Sequence, residues 1–167
     1  YLRAQVRAGV QSLMVFDTWG GMLSTAAFKT FSLAYMQRIV TAIKSDSDCK
    51  DVPIVLFTKG GGQWLEMLAD TGCDGLGLDW TIDIAQAKQR VGDRVILQGN
   101  MDPVVMSTTG AAVESQARAV LDGYGQVGAQ DRGHIFNLGH GIQPTAKPDN
   151  MRVFVETVKS YSPSFHS

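Results

Sequence analysis

The sequence predicts an α/β protein in which short parallel strands alternate with amphipathic helices. Five apolar runs of four or five residues are bounded by glycine, proline or polar residues, and such runs are typical of strands buried on both faces. Helical patterns separate the runs, and this alternation indicates parallel βα units. Glycine is frequent, at 18 of 167 residues, about 11% against an average of about 7%, so we expect many tight turns.

The five apolar runs define the predicted strands and the edge of the sheet where functional residues would collect. The strands are predicted at residues 12–16, 53–57, 75–78, 94–97 and 134–138. Polar residues or glycine follow each run directly. Because ligand sites of α/β folds lie at the carboxyl ends of parallel strands, these residues are the first candidates for function.

Helical patterns surround the strands and are predicted at residues 1–8, 28–44, 63–71, 82–90, 111–123 and 148–160. The pattern at 28–44 contains one predicted apolar stripe, made of Phe28, Phe31, Tyr35, Ile39, Val40 and Ile43. Gly72 is a predicted C-cap, and Asp149 and Asn150 favour the start of the last helix. Because the sequence begins without Met inside a helical pattern, we expect it to be a piece of a longer chain.

Composition excludes several classes of function. The net charge is −1, with 15 basic and 16 acidic residues, so no strong field would draw the chain onto nucleic acid or an anionic membrane. No apolar run approaches the 18 residues of a transmembrane helix, and no signal peptide opens the sequence. Cys49 and Cys73 are too few for a disulfide framework. We therefore expect a cytoplasmic protein without nucleic-acid or membrane partners.

Two architectures fit five βα units, and periodicity alone does not separate them. One is an open doubly wound sheet, and the other is the later part of a (β/α)₈ barrel. A complete barrel typically needs about 250 residues, more than this chain has. The length, the helical start and the motifs that follow favour the later five βα units of an incomplete TIM barrel.

Five motifs follow the predicted strands, in an order and at spacings that resemble the uroporphyrinogen decarboxylase family. The resemblance extends over nearly the whole chain, and it implies that residues 1–167 are the C-terminal part of a single (β/α)₈ barrel domain. Each motif alone is weak evidence, but together they are specific. They are Phe16-Asp-Thr-Trp-Gly-Gly21, Phe57-Thr-Lys59, Gly77-Leu-Asp-Trp80, Leu97-Gln-Gly-Asn100 with Asp102-Pro103, and Asn137-Leu-Gly-His-Gly141.

The resemblance implies a carboxy-lyase of haem and chlorophyll biosynthesis. Such an enzyme decarboxylates the four acetate side chains of uroporphyrinogen III to give coproporphyrinogen III. The family uses no metal and no organic cofactor, forms homodimers, and would be plastid-located if the source is photosynthetic. Its central aspartate and carboxylate-binding arginines lie in its earlier portion, and no matching motif occurs here. We therefore expect this chain alone to be inactive and assign it no catalytic residue.

The resemblance also implies three substrate-binding residues. His140 matches the family's substrate-contacting histidine, which could donate to a carboxylate or help to position a proton; the alternative is a histidine that caps a tight turn. Thr18 lies where the family has a Ser or Thr that binds substrate, and the alternative is an ordinary loop hydroxyl. Phe16 could pack against the macrocycle or belong to the core.

Other polar residues at the strand ends have structural interpretations. Lys59 could pair with a substrate carboxylate or be solvated. Asp79 is interpreted as a buried brace between loops. Loop-fixing roles are predicted for Asn100, Asp102 and Asn137. Asp17 is not the missing aspartate, because the family commonly has an acidic residue there. Thr145, where the family often has Asp, is a mild departure.

Alternative functions remain open at this point. A corrinoid-dependent methyltransferase of the same superfamily would bind zinc, but neither Cys49 nor Cys73 accompanies a strand-end histidine. A phosphate could bind at 59–62 before a helix, although the sequence there is no phosphate-binding motif. The chain could also be an inactive α/β remnant. Because an open sheet edge promotes aggregation, we expect the isolated segment to be poorly soluble or partly disordered.

Overall fold

The computed structural model describes residues 1–166 and contains one five-stranded parallel sheet in the order β1-β2-β3-β4-β5. All four strand pairs are parallel and join strands that are consecutive in the sequence. A doubly wound sheet would reverse its order at a switch point, so the sequential order is that of a barrel wall. The strands are β1 Leu13–Asp17, β2 Ile54–Thr58, β3 Gly75–Gly77, β4 Ile96–Gln98 and β5 His134–Ile135.

Within the described residues, seven α-helices accompany the sheet and confirm the predicted alternation. They are α1 Leu2–Arg7, α2 Thr25–Phe28, α3 Ala34–Lys44, α4 Leu65–Ala69, α5 Ile84–Val91, α6 Gly110–Tyr124 and α7 Pro148–Tyr161. A π-helical turn, Lys29–Leu33, joins α2 to α3. The described part of the chain also contains four 3₁₀ segments, at Gly20–Met22, Gly61–Trp64, Pro103–Ser107 and Ser162–Phe165. Within residues 1–166, no helix is long and apolar enough to cross a membrane.

Burial of the strands follows their place in the sheet. Every residue of β2 and β3 is buried, as their apolar runs predict. The prediction is wrong for β1 and β5, which include the exposed Phe16 and Ile135. Each of these two strands pairs with a single neighbour, so fewer elements cover its side chains.

The predicted apolar stripe at 28–44 is only partly correct. Phe28, Val40 and Ile43 are buried, but Phe31 and Tyr35 are 69% and 55% exposed. The π-turn at Lys29–Leu33 explains the difference, because its wider turn shifts the helical register between α2 and α3. Residues spaced for an uninterrupted α-helix therefore no longer share one face.

The core divides into a large cluster under the central strands and a small one at α6 and α7. Phe28 stacks on Trp64 in the large cluster, with ring centroids 3.9 Å apart. The Trp64 indole N–H donates to the Thr25 hydroxyl across 3.1 Å, which fixes α2 against the turn after β2. The small cluster consists of Met101, Met106, Val113, Ala117 and Phe154.

Side chains cap several helices, but α7 begins differently from the prediction. Pro148 is its first residue, and no side chain among residues 1–166 caps it. Asp149 lies in the first turn, where an acidic residue complements the helix dipole. Asn150 is buried, and its amide donates to the carbonyl oxygens of Met106 (2.9 Å) and Thr108 (3.2 Å). Asn150 therefore ties α7 to the preceding loop.

Candidate functional site

A row of residues in register crosses four strands of the sheet. Phe16 of β1 pairs with Phe57 of β2, Phe57 with Gly77 of β3, and Gly77 with Gln98 of β4. Residues in register on neighbouring parallel strands point to the same face of a sheet. A side chain at Gly77 would lie 2.9 Å from the Phe57 ring and 3.0 Å from the Met14 methyl group, so glycine leaves room for both.

This row forms one wall of a cavity of about 440 Å³. That volume lies within the range of small-molecule sites, roughly 300–1,000 Å³. Part of the lining is apolar and comes from Met14, Phe16, Phe57, Leu78 and Leu138. Four polar side chains also face the cavity: Thr18, Gln98, Asn137 and His140. Apolar walls with a few polar groups are typical of ligand sites.

All three residues that the family resemblance selects line this cavity. Phe16 and Thr18 face it together with Met14, because alternate residues of a strand point to the same side. His140 approaches from the loop after β5, between two glycines. A side chain at Gly139 would lie 2.6 Å from the Trp80 backbone nitrogen, so glycine allows this loop to pack against the end of β3.

Two aromatic rings lie near the His140 imidazole. Its centroid lies 6.1 Å from that of Phe57, and 6.3 Å from that of Trp80 at an interplanar angle of 84°. Among residues 1–166, no group forms a hydrogen bond with the side chain of His140 or of Thr18. Both side chains can therefore give their hydrogen bonds to a ligand.

Asp79 braces the loops at this edge, as predicted. Its side chain is buried, and one carboxylate oxygen accepts a hydrogen bond from the Gly60 N–H. The other oxygen accepts from the Thr81 N–H (2.8 Å) and hydroxyl (2.5 Å). The Asn100 amide donates to the Asp79 carbonyl (2.9 Å) and to that of Ile82 (2.6 Å). These bonds join the loops that follow β2, β3 and β4.

Two further carboxylates fix loops at the same edge. Asp102 accepts from the Val104 N–H across 2.9 Å, at the start of a 3₁₀ segment. Asp17 accepts from the Gly20 N–H across 2.8 Å and from the Ser32 hydroxyl. The loop-fixing interpretation of Asp102 is thus confirmed, and Asp17 has the same kind of role.

Asn137 and Gln98 differ from what sequence reasoning suggested. The sequence predicts that Asn137 fixes a loop, but Asn137 lines the cavity, and within residues 1–166 its side chain forms no hydrogen bond. Its backbone oxygen accepts from the Met101 N–H across 3.2 Å. Gln98 belongs to one of the five motifs, but the sequence analysis assigns it no role. The local sequence shows only a polar residue at the end of an apolar run. The strand register, which places Gln98 beside Gly77, is what identifies it as part of the cavity wall.

Lys59 lies next to the site without lining the cavity. Its ammonium nitrogen is 5.6 Å from the centroid of the Trp80 ring, a distance suited to a cation–π contact. The Gly60 N–H, which a phosphate bound beside Lys59 would need, already donates a hydrogen bond to Asp79. The helix that follows is only the five residues of α4. The interpretation of 59–62 as a phosphate site is therefore not supported.

The cysteines lie away from this edge of the sheet. Cys49 and Cys73 are buried and precede β2 and β3, which places them near the amino ends of these strands. Burial raises the pKa of the Cys73 thiol above its usual value. Within residues 1–166, no three His, Cys, Asp or Glu side chains are grouped so that they could hold a metal ion.

Comparison with known proteins reveals extensive similarity. The family model described as uroporphyrinogen decarboxylase matches residues 1–161. A uroporphyrinogen decarboxylase of Pectobacterium atrosepticum is 53% identical over 167 residues, 100% of this chain and 46% of the relative. That of Idiomarina loihiensis is 51% identical with the same coverage. That of Cupriavidus necator is 52% identical over 162 residues, 97% of this chain and 44% of the relative. The chain thus spans about half the length of these relatives.

Proposed function

The chain belongs to the uroporphyrinogen decarboxylase family, and from this premise we propose that it forms part of the substrate pocket of such an enzyme. The reaction is the removal of CO₂ from the four acetate side chains of uroporphyrinogen III, which gives coproporphyrinogen III. One observation supports the proposal most strongly: His140, more than a hundred residues from Phe16 and Thr18 in the sequence, lines the same cavity as they do at the carboxyl edge of the sheet.

The chemistry needs a site that binds carboxylates and tolerates a cationic pyrrole. Protonation of a pyrrole carbon next to an acetate arm turns the ring into an electron sink. The arm's carboxylate then leaves as CO₂, and its bonding electrons neutralise the ring. The methylene carbon that remains takes up a proton and becomes a methyl group, and the ring carbon releases the proton it gained first, which restores the pyrrole. Preorganised dipoles and charges can stabilise the cationic state.

The three residues have distinct roles in this proposal. The Thr18 hydroxyl donates a hydrogen bond to a substrate carboxylate. The His140 imidazole donates to a second carboxylate, and the rings of Phe57 and Trp80 restrict its orientation. Phe16 is 66% exposed and tilted against Phe57, with centroids 5.6 Å apart, so its ring is available to pack against the macrocycle.

The proposal also covers the domain organisation, cofactor requirement, location and oligomeric state of the enzyme. Residues 1–167 are the C-terminal part of a single barrel domain that needs no cofactor, acts in the cytoplasm and forms a homodimer. Taken alone, these residues do not turn over substrate, because the family's central aspartate and arginines have no counterpart in the matched motifs. The methyltransferase alternative is less well supported, because the two cysteines lie at the opposite edge from His140.

The test is an anaerobic assay of the protein expressed from its complete reading frame. Uroporphyrinogen III is the substrate, and products are oxidised to porphyrins and separated by chromatography. We expect stepwise loss of carboxylates to coproporphyrinogen. The His140→Leu and Thr18→Ala variants should each lower kcat/KM by about tenfold or more, because each removes a hydrogen bond to a charged carboxylate.

Matched controls lie outside the cavity. His166→Leu changes an exposed histidine near the end of the chain, and Thr41→Ala changes an exposed threonine of α3. Both should retain the parent activity. Absence of decarboxylation in the parent protein would refute the proposed function, and full activity of both site variants would refute the assigned roles.

A further inference from the structure

We propose that His134 is a positioning residue for the decarboxylation: its imidazole, on the helix side of the sheet and outside the cavity, holds the Gly99 carbonyl and through it the end of β4 that forms part of the cavity wall. This inference rests on the proposed function and extends it, because the resemblance to the family assigns His134 no role. Support comes from the way the ring is held, from the hydrogen bonds of Gly99 and from its two neighbours in the chain.

The His134 ring is held among side chains on the helix side of the sheet. It stacks on Tyr124 of α6, with centroids 4.6 Å apart and an interplanar angle of 13°, and on Phe136, with centroids 5.5 Å apart. Tyr124 is itself 4% exposed, and the Lys88 ammonium nitrogen lies 4.5 Å from the centroid of its ring. Because His134 does not line the candidate cavity, its effect on a substrate must pass through the backbone.

Both backbone polar groups of Gly99 form hydrogen bonds with β5. The His134 Nε2 lies 2.7 Å from the Gly99 carbonyl oxygen, and because a carbonyl oxygen only accepts, Nε2 carries the proton and donates it. The Gly99 N–H donates to the Ile135 carbonyl across 3.0 Å. A side chain at Gly99 would lie 2.6 Å from the Leu78 carbonyl oxygen, so the chain packs closely against the end of β3. The imidazole therefore fixes the direction of the Gly99 carbonyl.

The residues on either side of Gly99 connect it to the candidate site. Gln98 precedes it and lines the cavity. Asn100 follows it, and its amide donates to the Asp79 carbonyl across 2.9 Å. The next residue, Trp80, is one of the two rings beside the histidine of the cavity. A shift of the Gly99 carbonyl would therefore move one wall of the cavity and the support of that histidine together.

Loss of the imidazole donor should affect the rate of the bound substrate more than its binding. Gly99 is buried, and a buried carbonyl without a donor is unfavourable, so the backbone would turn to find another partner. Reaction rates depend on placement of the reacting groups to within about 1 Å. A bound macrocycle keeps its remaining contacts, so kcat should fall while KM changes little.

The matched variants His134→Gln and His134→Leu isolate the hydrogen bond. Both lose the aromatic ring and have similar size, but only the glutamine amide can donate to the Gly99 carbonyl. For the protein expressed from its complete reading frame, kcat and KM for uroporphyrinogen III are measured anaerobically. We expect kcat to fall about tenfold in His134→Leu, with KM within about threefold of the parent. Both constants of His134→Gln should stay within about threefold of the parent.

The difference between the two variants decides the inference. Equal kcat in His134→Gln and His134→Leu would show that the hydrogen bond has no role, and would overturn the inference while the proposed function stands. A loss of kcat that disappears when rates are divided by the folded fraction has the same meaning, because a purely structural role lowers only the amount of folded enzyme. An inactive parent protein overturns the proposed function itself.

The control Gln37→Leu removes a hydrogen bond of the same kind away from the carboxyl edge. The Gln37 amide donates to the Thr71 carbonyl across 2.9 Å, ahead of β3. This variant should lower thermal stability and leave kcat and KM unchanged. Thermal denaturation gives the folded fraction of every variant at the assay temperature.

A second variant without a donor keeps the test decisive if His134→Leu does not fold. His134→Met then takes its place, because its thioether has no N–H to donate to the Gly99 carbonyl. A kcat more than tenfold below the parent in folded His134→Gln contradicts the inference by itself, since that variant keeps the donor.

Discussion

Asp79 is the residue on which the loops around the candidate site depend. Only 3% of its surface is exposed, and its carboxylate accepts from the Gly60 N–H and from both donors of Thr81. A buried carboxylate is tolerated when such donors compensate for its lost hydration. The same bonds hold the turn after β2 against the end of β3, beside Trp80 and the His140 loop.

Replacing Asp79 by alanine should destabilise the protein strongly. The change leaves the Gly60 N–H and the Thr81 donors without their partner, and we expect the free energy of unfolding to fall by about 2–4 kcal/mol. Urea denaturation followed by circular dichroism measures the change. Asp51→Ala at an exposed position is the control and should stay within about 0.5 kcal/mol of the parent. Equal stability of the two variants would contradict the bracing role.

His134 is a partly buried histidine that lies apart from the candidate site. Its ring stacks between Tyr124, with centroids 4.6 Å apart, and Phe136, with centroids 5.5 Å apart. Its Nε2–H donates to the Gly99 carbonyl across 2.7 Å. Burial lowers the pKa of His134 below its ordinary value of 6.5, and the positive charge of Lys88 acts in the same direction.

The lowered pKa of His134 predicts a loss of stability in mild acid. The neutral ring is favoured in the folded state, so its contribution is fully present above pH 6.5. It is lost as the pH falls below 6.5, because the unfolded chain then takes up a proton that the folded chain does not.

The His134→Gln variant tests this pH dependence. The free energy of unfolding of the parent should fall more steeply between pH 7 and pH 5 than that of the variant, by at most about 1.4 kcal/mol per pH unit. Between pH 8 and pH 9 the two curves should be parallel. Identical slopes between pH 5 and pH 7 would contradict a lowered pKa in His134.

Sequence reasoning identified the site residues that motifs mark, but not those that only the register reveals. Thr18 and His140 follow strands within recognisable motifs, and both line the cavity. The positions of Asn137 and Gln98 in the cavity wall depend on which residues face each other across neighbouring strands. A shift of one residue in register turns every side chain to the other face, and local patterns do not define that register.

At the level of elements, the alternation of strands and helices was predictable, and the interruption of one helix was not. Short apolar runs and amphipathic patterns predicted all five strands and the main helices. The π-turn at Lys29–Leu33 has no comparable local signal. It changes the face that α3 buries, so Met36 lies in the core and Tyr35 is exposed.

Helices α4 and α5 are joined by a bidentate ion pair. The Arg90 guanidinium donates to both carboxylate oxygens of Glu66, each across 2.6 Å, and also to the Gly62 carbonyl. The hydrogen bonds from Arg90 lower the pKa of Glu66 from 4.5 to about 2. The Glu66 side chain is about half exposed, so solvent screens part of this interaction.

The Glu66–Arg90 pair should stabilise the protein in a way that depends on pH. Because the pKa of Glu66 is lowered in the folded state, its contribution is fully present above pH 4.5 and is lost as the pH falls towards 2. The parent should exceed Glu66→Gln in free energy of unfolding by no more than about 1 kcal/mol at pH 6. That difference should disappear near pH 2.

The control for this pair is Glu156→Gln, which changes an exposed residue of α7 that forms no ion pair within residues 1–166. At pH 6 its stability should match that of the parent within about 0.5 kcal/mol. A Glu66→Gln difference that persists unchanged down to pH 2 would show that the carboxylate charge is not responsible.

The molecule as a whole exposes two strand edges and several large apolar side chains. β1 and β5 each pair on one side only. Trp19 and Met22, in the loop after β1, are 75% and 80% exposed, and Phe31 and Tyr35 are exposed near the start of α3. Unpaired edges and exposed apolar patches promote association between chains.

Residues 1–167 expressed alone should therefore associate as their concentration rises. Sedimentation velocity at several concentrations measures this, and we expect the average mass to increase with concentration. The double variant Phe31→Glu and Tyr35→Glu should raise the monomer fraction, because like charges at exposed positions oppose contact between apolar surfaces. Val155→Glu, at a less exposed site on α7, should have a smaller effect. A monomer at all concentrations with a sharp cooperative thermal transition would show that both strand edges are tolerated in solution.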